Sequence, residues 1–302
     1  MKPPNPWRLL PHELFFGLFL LVTWMRLGFA AGFFGCDALL YFVLTAVNVW
    51  AIWYCRSNGT SMRWRLGLLF YPLVMNLVFM HMKTAIPKIH PQRMDAVLQQ
   101  IDQLGVGTNL SLRLQPLVHP ALTEFFSFCY ILFFPYLLFS LIYYFCGDVA
   151  LLKKFVCGLF TIYGIGFLGY SLLPAAGPYV YLADQFTKPL DGWWITKWNA
   201  AIVAAGSNKV DVFPSLHCAV SSFLLFFDRR HRPWRFKLYL VPAVGLWLST
   251  IYLRYHYFID VLCGFALAAL ALWLAQRNPR TPDCDSALPP APTTPTADLI
   301  TK

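Results

Sequence analysis

Charge is scarce in this sequence. Only 13% of its 302 residues are Asp, Glu, Lys or Arg, while 58% are hydrophobic. Soluble globular domains carry roughly twice that charge on a chain that is roughly 45–50% apolar. Too few polar side chains remain to cover a water-facing surface, which excludes a soluble globular body. Acidic residues are scarcer than basic ones, 14 against 24. No acidic cluster suited to magnesium stands among the segments expected at the active face, so a reaction without metal or cofactor is expected. None of the eight cysteines belongs to a C-x-x-C pair or has a His at zinc spacing. Most lie inside apolar runs, where a thiol behaves as a small hydrophobe, and neither a zinc site nor a disulfide framework is indicated. The opening MKPPNPWRLLPHE lacks a compact signal peptide with a small-residue cleavage site, so the apolar run behind it reads as a first transmembrane helix that is retained.

What is present is long apolar runs. A bilayer core needs about 20 mostly apolar residues per helix, and eight segments qualify or come close: 14–34, 37–55, 66–82, 121–146, 151–173, 214–228, 236–253 and 257–275. The expectation is an all-α, polytopic membrane bundle of about eight transmembrane helices. The sixth segment is short, and its start is set by Pro214, a residue favoured in a first helical turn. Residues 1–82 form an N-terminal transmembrane part, 83–275 a catalytic part, and 276–302 a tail. The tail carries LPPAPTTPTADLITK, a stretch too poor in apolar residues to build a core, and is expected to be disordered.

The net charge of +10 has its explanation in topology. With the N-terminus in the cytoplasm, Lys and Arg concentrate in the inside connections, above all in DRRHRPWRFK at 228–237. A short loop this basic is seldom translocated. Both termini are therefore expected in the cytoplasm, and no nucleic-acid partner is expected. Two long connections then fall outside. Residues 83–120 include MDAVLQQIDQL, with Met94, Val97, Leu98, Ile101 and Leu104 at helical spacing. Residues 174–213 carry PAAGPYVY and WWITKW. Amphipathic pieces of this kind lie at the membrane interface, where they can cover or shape a site.

The chemistry-bearing residues fall in two clusters. In DVFPSLHCAVSS, residues 211–222, Pro214 and Ser215 open a helix whose free N–H groups and positive dipole end suit a phosphate, and His217 lies in that first turn. In STIYLRYHYFIDVLCG, residues 249–264, His256 and Asp260 are spaced i, i+4 and share one face if helical. A carboxylate there can accept Nδ1–H of the imidazole and leave Nε2 as a free lone pair, while Arg254 adds fixed positive charge. Ionisable groups at membrane depth are expensive and usually functional, and the topology brings His217, Arg254, His256 and Asp260 to the same outer face, periplasmic, extracellular or lumenal.

These groups suit phosphoryl transfer through a phosphohistidine. His256 attacks phosphorus while Asp260 stabilises the imidazolium that forms. His217 donates to the leaving oxygen and then accepts from the incoming nucleophile. The helix end at Ser215, with Arg254 and Lys209, holds the phosphate oxygens. A serine hydrolase built on Ser215 lacks the G-x-S-x-G elbow. A non-enzymatic transporter would call for inverted repeats or broken helices in matched halves, and neither is visible.

FPSLH, a helix, and then RYHYFID about forty residues on resemble the type 2 phosphatidic acid phosphatase superfamily. The likeness is closer to the inositol phosphorylceramide synthase branch, with FPSLH followed by H-Y-x-x-D. The sphingomyelin synthases are also similar in placing Arg two residues ahead of the second His. The likeness extends more weakly through DAVLQQIDQLG and SLLPAAGP. The resemblance implies a six-helix core, with nucleophile, orienting carboxylate and acid at His256, Asp260 and His217. Ordinary lipid phosphate phosphatases show Lys-x-x-x-x-x-x-Arg-Pro, Pro-Ser-Gly-His and a Ser-Arg ahead of the second His. This chain has no such first motif, carries Leu216 in place of the Gly, and has Ser249-Thr250 where Ser-Arg would stand. With the usual clamp partly missing and Arg254 its candidate replacement, the expectation is a transferase of phospho-head groups between lipids. Its partners are a phospholipid donor and a lipid alcohol acceptor in the membrane, and the alternative is a lipid phosphate or diphosphate phosphatase.

Overall fold

A computed structural model describes residues 9–58 and 60–277, and among them all regular structure is helical. Helix α1 (Pro11–Ala31) starts with Pro in its first turn, and Glu13 accepts from the Leu10 N–H at 2.7 Å. It is followed by α2 (Cys36–Asn58), α3 (Ser61–Leu68) and α4 (Phe70–Ile89). The connection expected at 83–120 begins only after α4 ends at Ile89, and it folds into α5 (Asp95–Val106) and the single turn α6 (Leu110–Arg113). Then come α7 (Pro120–Ile131), α8 (Phe133–Cys146), and α9 (Val149–Leu172), whose N-cap Asp148 accepts from Leu151 N–H at 2.9 Å. The second long connection holds the short α10 (Pro178–Tyr181) and α11 (Trp194–Gly206). The chain closes with α12 (Leu216–His231), α13 (Pro233–Tyr252) and α14 (Phe258–Gln276).

Six stretches are long and apolar enough to cross a membrane: Pro11–Ala31, Cys36–Ser57, Ser61–Ile89, Pro120–Cys146, Val149–Leu172 and Phe258–Gln276. This is an integral membrane helix bundle, with six such spans among the described residues against the eight expected. The two that fall short are α12 and α13. At 16 residues, α12 is a short helix ending in DRRH, and α13 begins with PWRFK and carries Pro242 inside. Packing against protein replaces lipid for α12, which touches α8, α9, α13 and α14 and buries most of its length. Helix α9 is likewise enclosed, between α1, α4, α8, α12 and α14. The N-terminal helices join this core directly: a Cβ on Gly164 of α9 would lie 2.6 Å from the backbone of Phe16 in α1. The tail expected to be disordered lies outside the described residues from 278 onward.

Both amphipathic segments in the long connections are helical, but turned inside out. In α5 the buried residues are Asp95, Leu98, Gln99 and Asp102, while Val97, Ile101 and Leu104 are exposed. In α11, Thr196 and Asn199 face the protein and Trp193, Trp194 and Trp198 face away. An apolar stripe identifies a face, and in a membrane protein that face need not be the one against the protein core.

Candidate active site

The site is assembled where the start of α12 meets the turn between α13 and α14. Ser215 is the N-cap of α12, and its side chain accepts from Cys218 N–H at 3.3 Å. Its own N–H donates to the Asp260 carbonyl at 3.0 Å, which ties the head of α12 to the head of α14. The two helices cross so closely that a Cβ on Gly264 would sit 2.6 Å from the Ser215 carbonyl oxygen, so the glycine sets the approach. His217 occupies the second residue of α12. Its ring lies 4.7 Å from those of Tyr130 and Phe133, centroid to centroid.

The second cluster departs from the expected helical pair. Helix α13 ends at Tyr252, Arg254 takes a left-handed conformation with φ 69°, and α14 begins only at Phe258. Between them Tyr255 N–H and His256 N–H both donate to the Thr250 carbonyl at 3.0 Å, which holds His256 in place outside either helix. Asp260 lies in the first turn of α14 and caps it, accepting from Tyr257 N–H at 2.8 Å. The same Oδ2 stands 3.5 Å from His256 Nδ1. His256 and Asp260 therefore meet through a capping geometry and not along one helical face. A separation of 3.5 Å is long for a hydrogen bond. Asp260 is fully buried and His256 is 3% exposed. Burial pulls the His256 imidazole down to about 4, partly opposed by the Asp211 charge and the Val212 carbonyl.

The two imidazoles converge, with ring centroids 5.8 Å apart, and both line a cavity of about 260 Å³. Its other polar walls include Asp211 and the tyrosines 130, 170, 179 and 255. Sequence alone does not single out Asp211, although it opens the DVFPSLH motif. Burial pushes its carboxyl above the ordinary carboxylate range, and the nearby His256 opposes that. No lysine or arginine is among the lining residues.

Of the residues expected to bind substrate, none contributes to this lining. Ser215 caps its helix. Lys209, exposed and with φ 56°, donates its backbone N–H to Ser207 Oγ at 3.2 Å. Arg254 is 7% exposed; its Nη2 donates to the Lys188 carbonyl at 2.6 Å, and its guanidinium stacks 4.0 Å from the centre of the Phe186 ring. The turn at 253–254 frees Arg254 from helical register, but its side chain is engaged with the connection at 186–188.

The acidic face of α5 supports the turn that carries His256 from behind. Asp102 accepts from Phe258 N–H at 2.7 Å and Ile259 N–H at 2.9 Å. Together with Asp260 it supplies acceptors for three successive N–H groups at the head of α14, groups that a helix leaves without internal partners. Asp95 accepts from Ala176 N–H, Gly177 N–H and Tyr257 O–H at 2.9–3.1 Å. Gly177 has φ 93°, and a Cβ there would meet the Tyr255 carbonyl at 2.4 Å. Thus the DAVLQQID and PAAGP segments clamp the backbone that carries His256. The signal in the sequence that points to Asp95 and Asp102 is their i, i+7 spacing opposite an apolar stripe.

Residues 95–274, more than half of the chain, match the PAP2 superfamily. A PA-phosphatase related-family protein of Dictyostelium discoideum is 28% identical over 125 residues, 40% of this chain and 23% of that protein. A phosphoinositol dihydroceramide synthase of Bacteroides thetaiotaomicron is 30% identical over 156 residues, 46% of this chain and 50% of that protein. The chain thus spans between about a quarter and half of the length of these relatives. No solved structure matches. The matched region runs from Asp95, which clamps the PAAGP turn, through His217, His256 and Asp260 to the last turns of α14, and the chain belongs to the PAP2 superfamily.

Proposed function

We propose that this protein transfers a phosphoryl or phospho-head group between lipids through a phosphohistidine at His256, without a metal. The observation that carries the reading is the convergence of two imidazoles on one cavity, with a fully buried carboxylate behind one of them. Nε2 of His256 attacks phosphorus, the P–N bond forms, and the P–O bond to the donor lipid breaks. His217 supplies the proton to the departing oxygen. The acceptor hydroxyl then attacks the phosphohistidine, its proton passes to His217, and the P–N bond breaks. Asp260 offsets the imidazolium charge in both steps. Phosphate oxygens are received by the first-turn N–H groups of α12 and by tyrosine hydroxyls. Ser215, Lys209 and Arg254 contribute by shaping and charging that end of the bundle.

A lipid alcohol as acceptor is favoured by the likeness to a phosphoinositol dihydroceramide synthase. Hydrolysis is the second reading, favoured by the PA-phosphatase related relative, and differs only in water taking the acceptor's place. The bias of Lys and Arg toward the 228–237 connection and the termini favours a site on the non-cytoplasmic face. Membranes carrying wild type or His256→Gln, supplied with a labelled phospholipid and a lipid alcohol, test the reading by mass spectrometry of lipids and by acid-labile, base-stable phosphate on the protein. A new phospholipid and a phosphoprotein that both vanish in His256→Gln support transfer, and free phosphate alone supports hydrolysis. Full activity in His256→Gln ends the mechanism.

A further inference from the structure

The cavity reaches the protein surface. Three of its lining residues are exposed: Asn76 on α4, Phe134 on α8 at 44% and Ile202 on α11 at 37%. Helices α4 and α8 belong to the membrane-spanning stretches Ser61–Ile89 and Pro120–Cys146. An opening bounded by them faces hydrocarbon.

The third boundary, α11, is built to lie at the bilayer surface. Its inward residues, Thr196 and Asn199, are polar, and Asn199 Nδ2 donates to the cavity-lining Tyr255 Oη at 3.0 Å. Its outward face presents Trp193, Trp194 and Trp198, which are 57%, 83% and 69% exposed. Indole rings exposed in this way settle at the boundary between headgroups and acyl chains. Glu124 anchors the start of α11, accepting from the N–H groups of Trp193, Ile195 and Thr196 at 2.7–3.1 Å. From that anchor the helix runs to Ile202, Val203 and Gly206 at the cavity.

Size completes the case. Pockets that enclose a drug-sized ligand span roughly 300–1,000 Å³. A cavity of about 260 Å³ has room for the reacting phosphate end of a lipid and not for two acyl chains. We infer that the lipid's tail leaves the site through this lateral mouth, between α4 and α8 and beneath α11, and stays in the bilayer while the phosphate sits between His217 and His256. The inference rests on the lipid-phosphate reading above. It also explains what α4 contributes. This helix lies outside residues 95–274, the region matched to the superfamily, so one of the three helices bounding the mouth comes from the preceding part of the chain.

The test is photo-crosslinking of the His256→Gln protein in phosphatidylcholine liposomes, with a phosphatidate carrying a diazirine on its acyl chain. Crosslinks are expected in the peptides 76–79, 134–137 and 202–206, and excess plain phosphatidate should remove them. A Cβ on Gly206, a residue of the cavity lining, would meet nothing within 4 Å, so Gly206→Trp adds bulk at the mouth without a clash at its first side-chain atom, and those crosslinks should be lost. Ala204→Trp, on the exposed side of α11, should keep them. Saturable crosslinks confined to another face, such as Val49 and Trp50 on α2, overturn the lateral mouth, as do crosslinks that persist unchanged in Gly206→Trp. Absence of saturable labelling anywhere, together with no turnover of phosphatidate by wild type, overturns the lipid-phosphate reading itself. The crosslink map decides the matter even if Gly206→Trp does not fold.

Discussion

Asn in place of Asp260 keeps the shape of the side chain and removes its charge. Asp260 has two roles in the structure, capping Tyr257 N–H at 2.8 Å and standing 3.5 Å from His256 Nδ1. The amide oxygen of Asn can still cap, so thermal stability in detergent should change little. Toward His256 the change is severe, since an amide N–H in that place opposes a donor at Nδ1. The lost charge can be sized: full unit charges 3.5 Å apart interact by about 5 kcal/mol at an effective dielectric constant of about 20. With about half of the imidazolium charge developed in the transition state, about 2–3 kcal/mol is lost, or about 10²-fold in kcat. The assay is turnover of a lipid phosphate in mixed micelles alongside trapping of the phosphoprotein. kcat and the rate of phosphoprotein formation should fall together with KM near wild type. A wild-type kcat with a raised KM would contradict this account and leave Asp260 as a pocket wall. A large drop in melting temperature would assign the loss to the cap instead.

Asp102→Ala removes the acceptor of two N–H groups at the head of α14 and should cost about 1–2 kcal/mol of stability, the range of a lost N-cap. It should also lower kcat more than it raises KM, with Asp102→Asn in between; a wild-type kcat in the Ala variant would deny α5 its positioning role. Burial holds His256 to about 4, below the ordinary 6.5, so the stability tied to its neutral form is complete above pH 6.5 and lost as pH falls toward 4. Melting curves over that window should show an acid-side loss that His256→Gln lacks, and parallel curves would argue against it. Arg254→Lys keeps the charge but not the guanidinium stack on Phe186 or the Nη2–H bond to the Lys188 carbonyl. It should therefore loosen 186–188 to protease and depress activity, whereas wild-type behaviour would leave Arg254 as a headgroup anchor. In a protein stripped of native cysteines, Cys at Lys188 or Lys209 should react with a membrane-impermeant maleimide from outside and Cys at Arg230 should not; reversed labelling would put the site in the cytoplasm.

Composition and local pattern establish the class of the protein and single out His217, His256 and Asp260 as candidates for its reactive groups. Apolar runs near 20 residues have few places to go other than a bilayer, and an all-helical membrane bundle is what forms, with six sufficiently long and apolar spans among the described residues against the eight expected. His217, His256 and Asp260 stand out because each is costly at membrane depth, and the structure brings the three together. How they meet is a matter of tertiary packing. The i, i+4 spacing of His256 and Asp260 suggests one helix, yet α14 starts two residues after His256, because Asp260 and Asp102 together cap its head. Packing also settles which faces turn inward. Hydrophobic periodicity marks a stripe on α5 but assigns it no destination: Leu98 turns inward beside Asp95 and Asp102, while Val97, Ile101 and Leu104 turn outward. The sequence hides the role of Asp211, and the i, i+7 spacing of Asp95 and Asp102 marks a face without naming its partners, for a related reason. A carboxylate on a linear sequence has no burial and no partner, and both arise only when segments about fifty and about 150 residues apart, such as 211 with 256 and 102 with 258, are packed together. Local pattern encodes the preference of each residue for lipid, water or a helix end, while the site depends on long-range contacts whose geometry no single segment contains.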